Sequence, residues 1–165
     1  MSSFGNKRKE KFLASIPPVS LEDKENNLTE RCKFNFSYLD ESQPPSQKLD
    51  NLNLIEFQKL IIKLKEFSRH SLTELQRMNV GSGKHKWNLF EIYGSFPKKS
   101  DFTHPSHVPH QANWARFRMD FEFRLVGFVV PEDFHGRQHS RTKEYFDQNT
   151  FYIVFIDMKH GFYKK

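Results

Sequence analysis

The chain contains a single cysteine, Cys32, among its 165 residues. One cysteine excludes an internal disulfide and a cysteine-based zinc site. The sequence also lacks an apolar run long enough to span a membrane, and its N-terminus lacks the apolar core of a signal peptide. These absences predict a cytoplasmic protein that makes no use of a membrane.

Apolar residues are scarce, at 36% of the chain, yet 18 of the residues are phenylalanine. Phenylalanine buries a large area per side chain, so the length and composition predict one modest core in one compact domain. The net charge of +6 favours a polyanionic partner. Residues 1–30 are polar and include the basic run Lys7-Arg8-Lys9. We interpret them as a flexible basic arm with at most a short helix, ahead of a domain spanning residues 31–165.

The first half of the predicted domain shows one strand pattern and one helix pattern. Apolar and polar residues alternate from Cys32 to Tyr38, which predicts a strand with one buried face. Asn53 and Glu56 have the spacing of a capping box and predict a helix that ends at Phe67. Its expected apolar stripe consists of Leu54, Phe57, Leu60, Ile61, Leu64 and Phe67.

A second capping box, Ser71-Leu-Thr-Glu74, predicts a short helix to about residue 78, ended by Gly81-Ser-Gly83. Two strands joined by a tight turn are predicted at 115–120 and 122–130. A polar insertion at 131–149 precedes a nearly continuous apolar strand at 150–157, which is typical of a central strand. The order is strand, helix, helix, strand, strand, strand, and it predicts an α+β domain with one antiparallel sheet and two helices packed on it.

Three arginines lie among aromatic residues on the predicted strand pair. Arg116 and Arg118 share parity, so they project from the same face of one strand, and Arg124 begins the next strand. Guanidinium groups bind phosphate in a planar, bidentate manner, and aromatic rings stack on unpaired bases. The pattern therefore favours RNA over a small apolar ligand. The alternative is that the arginines form only a solvated outer face.

The order of elements and four short motifs resemble the RelE-type bacterial toxins, most closely the YoeB-like branch. The motifs are Gly81-Ser-Gly-Lys84, Trp114-Ala-Arg-Phe117, Arg124-Leu-Val-Gly127 and His160-Gly-Phe-Tyr163. They cover roughly residues 30–165. The resemblance implies a RelE-like fold and a metal-independent endoribonuclease without a cofactor. It also implies mRNA and the ribosome as partners, together with an antitoxin that neutralises the protein.

Cleavage of RNA by such a fold needs a base, a cation that steadies the phosphate and an acid for the leaving oxygen. The resemblance assigns phosphate stabilisation to Arg124, whose alternative role is a surface ion pair. It assigns proton transfer to His160, with assistance from the hydroxyl of Tyr163. The residue types of Lys84, Lys86, Arg116 and Arg118 suit them to binding RNA phosphates.

The sequence departs from the toxin pattern where the glycine loop should be followed by an acidic residue. Residues His85, Lys86 and Trp87 stand there instead, and the nearest carboxylate is that of Glu91. We therefore consider His85 and Glu91 as candidates for the base. The missing acid keeps a second hypothesis open, namely a non-catalytic RNA-binding or protein-interaction module on the same fold.

Two histidine patterns raise a third hypothesis, a metal-dependent nuclease. One set recurs every three residues and the other is spaced i, i+4. The first set lies among prolines, so a solvated histidine-rich loop is the favoured interpretation, and no metal site is predicted. The histidines are His104, His107, His110, His135 and His139.

Overall fold

The computed structural model describes residues 6–16, 20–22, 27–120 and 122–164. Its three α-helices are α1 (Lys7–Ser15), α2 (Leu54–Phe67) and α3 (Leu72–Arg77). Its strands are β1 (Lys33–Asn35), β2 (Asn79–Ser82), β3 (His85–Asn88), β4 (Phe90–Gly94), β5 (Asn113–Arg118), β6 (Arg124–Val129) and β7 (Thr150–Asp157).

Five strands form the main sheet in the order β1-β7-β6-β5-β4, and β2 pairs with β3 in a separate hairpin. Strand β1 runs parallel to β7, whereas the remaining neighbours in the main sheet are antiparallel. The α+β class is confirmed, but the sheet is mixed, so the prediction of a wholly antiparallel sheet is wrong at β1. The predicted order also omitted the β2–β3 hairpin and β4.

Both predicted helices are present, and their capping boxes are confirmed. Asn53 caps α2 and Ser71 caps α3. Each cap side chain accepts the backbone N–H of the glutamate three residues later, and the carboxylate of that glutamate accepts the backbone N–H of the cap residue. The predicted stripe of α2 is only half correct. Its buried members are Leu60, Leu64 and Phe67, whereas Leu54, Phe57 and Ile61 are exposed, because only a narrow line of α2 faces the sheet.

The strand predicted at 32–38 is shorter than the alternation suggested. The chain leaves the ladder after Asn35, whose side chain accepts the backbone N–H of Ser37. The backbone N–H of Leu39 then bonds to the carbonyl of Phe36, which completes a turn. This local turn chemistry competes with strand pairing, so the alternation continues in the sequence beyond the point where the strand ends.

Residues 81–83 do not simply end the second helix, as predicted. Gly81 and Ser82 belong to β2 and pair with Lys86 and His85 of β3. Gly81 has φ +103°, and a Cβ there would overlap the backbone oxygen of His85. Most of the hairpin's residues are exposed, so it lacks the alternation of a half-buried strand that would reveal it in the sequence.

Strands β5, β6 and β7 confirm the predicted hairpin and the predicted central strand. Every residue of β6 is buried, and β7 is buried on both faces. The ladder between them is irregular at Val126 and Gly127. A Cβ on Gly127 would overlap the backbone oxygen of Tyr152, so the close approach of the two strands requires glycine.

The main sheet has an apolar cluster on each side. On the helix face, α2 and α3 pack on a core that includes Phe117, Leu125 and Phe151. On the opposite face, the loop before β5 and the C-terminal turn pack around Trp114 and Phe155. The opposite face also carries the arginines of β5 and β6, because they alternate with the residues that point to the helices.

The sequence also predicted two segments outside the sheet, the basic arm at residues 1–30 and the insertion at 131–149. Helix α1 lies in the predicted basic arm, and none of its residues is buried. The other residues of that arm fall partly outside the described ranges. In the insertion at 131–149, the structure has a short 3-10 helix at Glu132–Phe134, and the ring of Phe134 contacts Phe146.

The two sides of α2 should differ in their contribution to stability. Leu60 is 1% exposed and Ile62 is 62% exposed. We expect Leu60→Ala to lower the free energy of unfolding by about 2–5 kcal/mol, because it leaves a cavity. The control Ile62→Ala should lower it by less than about 1 kcal/mol. Urea denaturation checks both values, and equal losses would contradict the placement of α2.

Candidate functional site

Three arginines meet on the opposite face of the sheet. Arg118 of β5 lies directly across the ladder from Arg124 of β6, and Arg116 follows on the same face of β5. Arg124 is 2% exposed and Arg116 is 8% exposed. We call Arg116, Arg118 and Arg124 the arginine cluster.

Each guanidinium is held by a different set of partners. Arg116 forms a salt bridge with Glu91, with Nη2 2.5 Å from Oε2, and its Nε donates to the hydroxyl of Tyr93. Nη1 of Arg124 donates to the backbone oxygens of Asp120 and Phe123, at 2.6 and 2.8 Å. The guanidinium of Arg118 lies over the ring of Trp87, 5.3 Å from its centroid. The cluster is therefore fixed from three sides, by β4, by the β5–β6 turn and by the β2–β3 hairpin.

Each arginine of the cluster nevertheless keeps one buried nitrogen without a hydrogen-bond partner among the described residues. These atoms are Nη1 of Arg116, Nε of Arg118 and Nε of Arg124. An unsatisfied buried donor costs about 1–3 kcal/mol, and more when it is charged. The three donors belong to arginines that are neighbours in the sheet, and an oxyanion has several acceptor oxygens for such donors.

The electrostatics of the cluster also favour an anion. Burial, followed by the positive charges of Arg118 and Arg116, lowers the pKa of Arg124 to about 10. Burial and then Arg116 lower the pKa of Arg118 as well. A bound anion would stabilise the charged form of both groups, because it offsets the mutual repulsion of the guanidinium groups.

Asp157 connects the cluster to the C-terminal turn. It lies opposite Arg124 in the ladder between β6 and β7, and it is buried. Its carboxylate accepts the backbone N–H groups of Lys159, Gly161 and Phe162, at 3.0, 3.0 and 2.9 Å. These bonds shape the turn that carries His160, which has φ +56° and is exposed. His160 therefore lies on a turn anchored beside the cluster.

Two tyrosines border the cluster at Arg116. The rings of Tyr93 and Tyr163 are stacked, with centroids 4.8 Å apart and planes 4° from parallel. Burial raises the pKa of Tyr93, so its hydroxyl keeps its proton at neutral pH. Tyr93 was missed in the sequence because β4 was not recognised. Its parity with Glu91 would otherwise have placed it beside Arg116.

The structure brings together five of the predicted site residues: Glu91 and Tyr163 accompany the three arginines. Lys84, His85 and Lys86 lie apart from this group, exposed on the β2–β3 hairpin. The ring of His85 stacks beside Trp87, with centroids 6.0 Å apart. Of the two candidate bases, Glu91 is therefore the one in contact with the arginine cluster.

The histidine loops have structural partners instead of a shared centre. His104 bonds to the backbone oxygen of Pro105, and His107 bonds to that of Tyr38. His135 and His139 each accept a backbone N–H within the insertion. Across the described ranges, no group of three or more histidine, cysteine or acidic residues has the arrangement of a metal site.

Comparisons with protein-family models, curated proteins and solved structures find no match to this chain. None of the helices described here is both long enough and apolar enough to cross a membrane.

The unsatisfied donors of the arginine cluster predict that a bound anion stabilises the folded state. Inorganic phosphate should raise the melting temperature above that in chloride at equal ionic strength, because it binds the folded state alone. Arg118→Met should leave the free energy of unfolding within about 1 kcal/mol of wild type, because it removes a repulsive charge. It should also reduce the phosphate effect.

Differential scanning calorimetry measures both quantities. The control is Arg141→Met, a change to an exposed residue in the insertion, which should leave the phosphate effect intact. A phosphate effect of equal size in wild type and Arg118→Met would contradict the assignment.

Proposed function

We propose that the protein binds RNA through the arginine cluster and cleaves it as an endoribonuclease of the RelE type. The observation that supports this proposal is the set of three adjacent arginines, two of them buried and one half-buried, each with an unsatisfied buried donor. A phosphodiester has the charge and the acceptor oxygens that these donors lack. The neighbouring Glu91, Tyr93 and Tyr163 supply groups that can accept or donate a proton.

In the proposed reaction the carboxylate of Glu91 removes the proton from a ribose 2′-hydroxyl. The 2′-oxygen then attacks the adjacent phosphorus, the bond to the 5′-oxygen breaks, and a 2′,3′-cyclic phosphate forms. Arg116 and Arg124 stabilise the charge that develops on the phosphate oxygens. His160 gives a proton to the leaving 5′-oxygen, with Tyr163 as the assisting hydroxyl.

Cleavage should depend on these residues and not on a metal. We expect Glu91→Gln, Arg124→Lys and His160→Ala each to lower the rate of cleavage of a single-stranded RNA by about 100-fold or more. Circular dichroism should show a folded protein in each case. The matched control His110→Ala alters an exposed histidine outside the site and should cut at the wild-type rate.

The products are read by gel electrophoresis in the presence of a chelator. A His160→Ala protein that cuts at the wild-type rate would remove His160 as the acid. Activity lost on chelation would instead support the metal-dependent nuclease.

Affinity for RNA should fall steeply with salt, because the bound arginines displace counterions from phosphates. The double variant Arg116→Ala, Arg118→Ala should bind more weakly and with a shallower salt dependence. The control is the double variant Arg137→Ala, Arg141→Ala, which removes the same charge from the exposed insertion. Fluorescence anisotropy with a labelled RNA measures both slopes. Equal slopes for the two double variants would place the RNA elsewhere.

A second candidate function is non-catalytic RNA binding on the same scaffold. The observation that favours it is the salt bridge of Glu91 to Arg116, because this contact already engages the carboxylate that the proposed reaction uses as its base. RNA binding that needs the arginine cluster, without cleavage under any condition, would decide for this candidate.

The proposed partners are mRNA, with the ribosome as the setting of cleavage, and a neutralising antitoxin protein. Induced expression should then arrest growth, and an antitoxin encoded by a neighbouring reading frame should relieve the arrest. Several large apolar side chains on α2 are exposed and offer a surface for such a protein: Leu54, Ile55, Phe57, Ile61 and Ile62.

A further inference from the structure

A cleft of about 1070 Å³ adjoins the arginine cluster. It lies between α2, the β2–β3 hairpin and the β5–β6 turn. Its apolar lining consists of Ile62, Val80, Trp87, Met119, Phe123 and Met158. Sites that hold small organic ligands have volumes of about 300–1000 Å³, so this cleft is large enough for such a ligand.

Arg118 belongs both to this cleft and to the arginine cluster. Its guanidinium lies over the ring of Trp87, and its Nε is one of the unsatisfied donors. A phosphate bound at the cluster would therefore sit at the mouth of the cleft. The part of the nucleotide next to that phosphate would face Trp87.

Trp87 is unusually exposed for a tryptophan. It is 47% exposed, whereas the other tryptophan, Trp114, is 1% exposed. Its ring is nonetheless held in place. Arg118 lies over it, His85 stacks beside it with centroids 6.0 Å apart, and a Cβ on Gly81 would come within 2.9 Å of it. A fixed, exposed aromatic ring next to a cation is a platform on which an unpaired base stacks.

The charges at the cleft argue for a neutral ligand group. Its cationic residues Lys59, Lys63 and Arg118 are matched by three carboxylates, those of Glu56, Asp120 and Glu122. A second phosphate would gain little there, since the carboxylates repel it. A nucleobase is uncharged, and the amino groups on its edge can donate to carboxylates.

We infer that this cleft binds one unpaired base of a single-stranded RNA, stacked on Trp87, while the adjoining phosphate lies on Arg118. The inference rests on the proposed binding of RNA and adds a binding position for one base. A base inside a duplex is stacked and paired, so it cannot enter the cleft. The protein therefore selects single-stranded RNA.

The test uses the full chain and a short 2′-O-methyl oligonucleotide, which the proposed reaction cannot cleave. A second probe has the same backbone but no bases, and a third is the corresponding duplex. The intact single strand should quench the fluorescence of Trp87 and bind about 5- to 150-fold more tightly than the abasic strand, since stacking contributes about 1–3 kcal/mol per base. Neither the abasic strand nor the duplex should quench Trp87.

Two variants separate stacking from folding. Trp87→Leu should weaken binding of the intact strand by the same factor and leave the abasic strand unchanged, while Trp87→Phe should restore most of the affinity. Emission of the buried Trp114 reports whether each variant is folded. Weakening of both strands alike by Trp87→Leu would make Trp87 a structural residue and overturn the inference.

The remaining outcomes distinguish this inference from the proposed function. If the intact and abasic strands bind wild type equally, and binding needs Arg116, the cleft binds no base but RNA binding stands. If neither strand binds, the proposed function fails and the inference fails with it.

Discussion

Three like charges at neighbouring positions on one face of the sheet, two of them buried, are the constraint around which this structure is arranged. Arg118 and Arg124 face each other across one rung of the ladder, and Arg116 is next on the same face. Carboxylates lie near each of these charges: Glu91 reaches Arg116, Asp157 lies opposite Arg124, and Asp120 and Glu122 line the same cleft as Arg118. Burial and the mutual repulsion of the guanidinium groups lower the pKa values of Arg118 and Arg124, and a bound anion would offset this repulsion.

The elements around the cluster hold it in place. Arg124 fastens the β5–β6 turn through two backbone oxygens, and Asp157 fastens the C-terminal turn through three backbone N–H groups. Trp87 extends the cluster toward the cleft on the helix side. The site is thus built on strands packed on both faces by aromatic residues, which limits how far the guanidinium groups can move apart.

The sequence predicted those parts of the fold whose residues follow a simple period or cap. Capping boxes located α2 and α3, the tight turn indicated β5 and β6, and β7 was evident from its nearly continuous apolar character. The parallel pairing of β1 was not predictable from the sequence. The alternation of apolar and polar residues indicates which face of a strand is buried, but it is the same for parallel and antiparallel neighbours. The β2–β3 hairpin was missed because its strands contain only two large apolar residues, Val80 and Trp87, which are too few to show an alternating pattern.

For the site, parity placed Arg116 and Arg118 on one face of a strand, and the predicted hairpin placed Arg124 at the start of the next strand. Contacts that depend on sheet order could not be predicted in this way. Tyr93 meets Arg116 only because β4 pairs with β5. Likewise, His85 stacks beside Trp87 because both residues lie on β3 of the extra hairpin.

The most direct measurement is of the arginine side chains themselves, by ¹⁵N–¹H NMR of their Nε–H groups, assigned with single Arg→Lys variants. Titration with a 2′-O-methyl oligonucleotide should shift the signals of Arg118 and Arg124, whose Nε atoms lack partners. The signal of Arg141, exposed in the insertion, should stay unchanged. Saturating oligonucleotide that leaves the Arg118 and Arg124 signals unmoved would contradict a phosphate site at the arginine cluster.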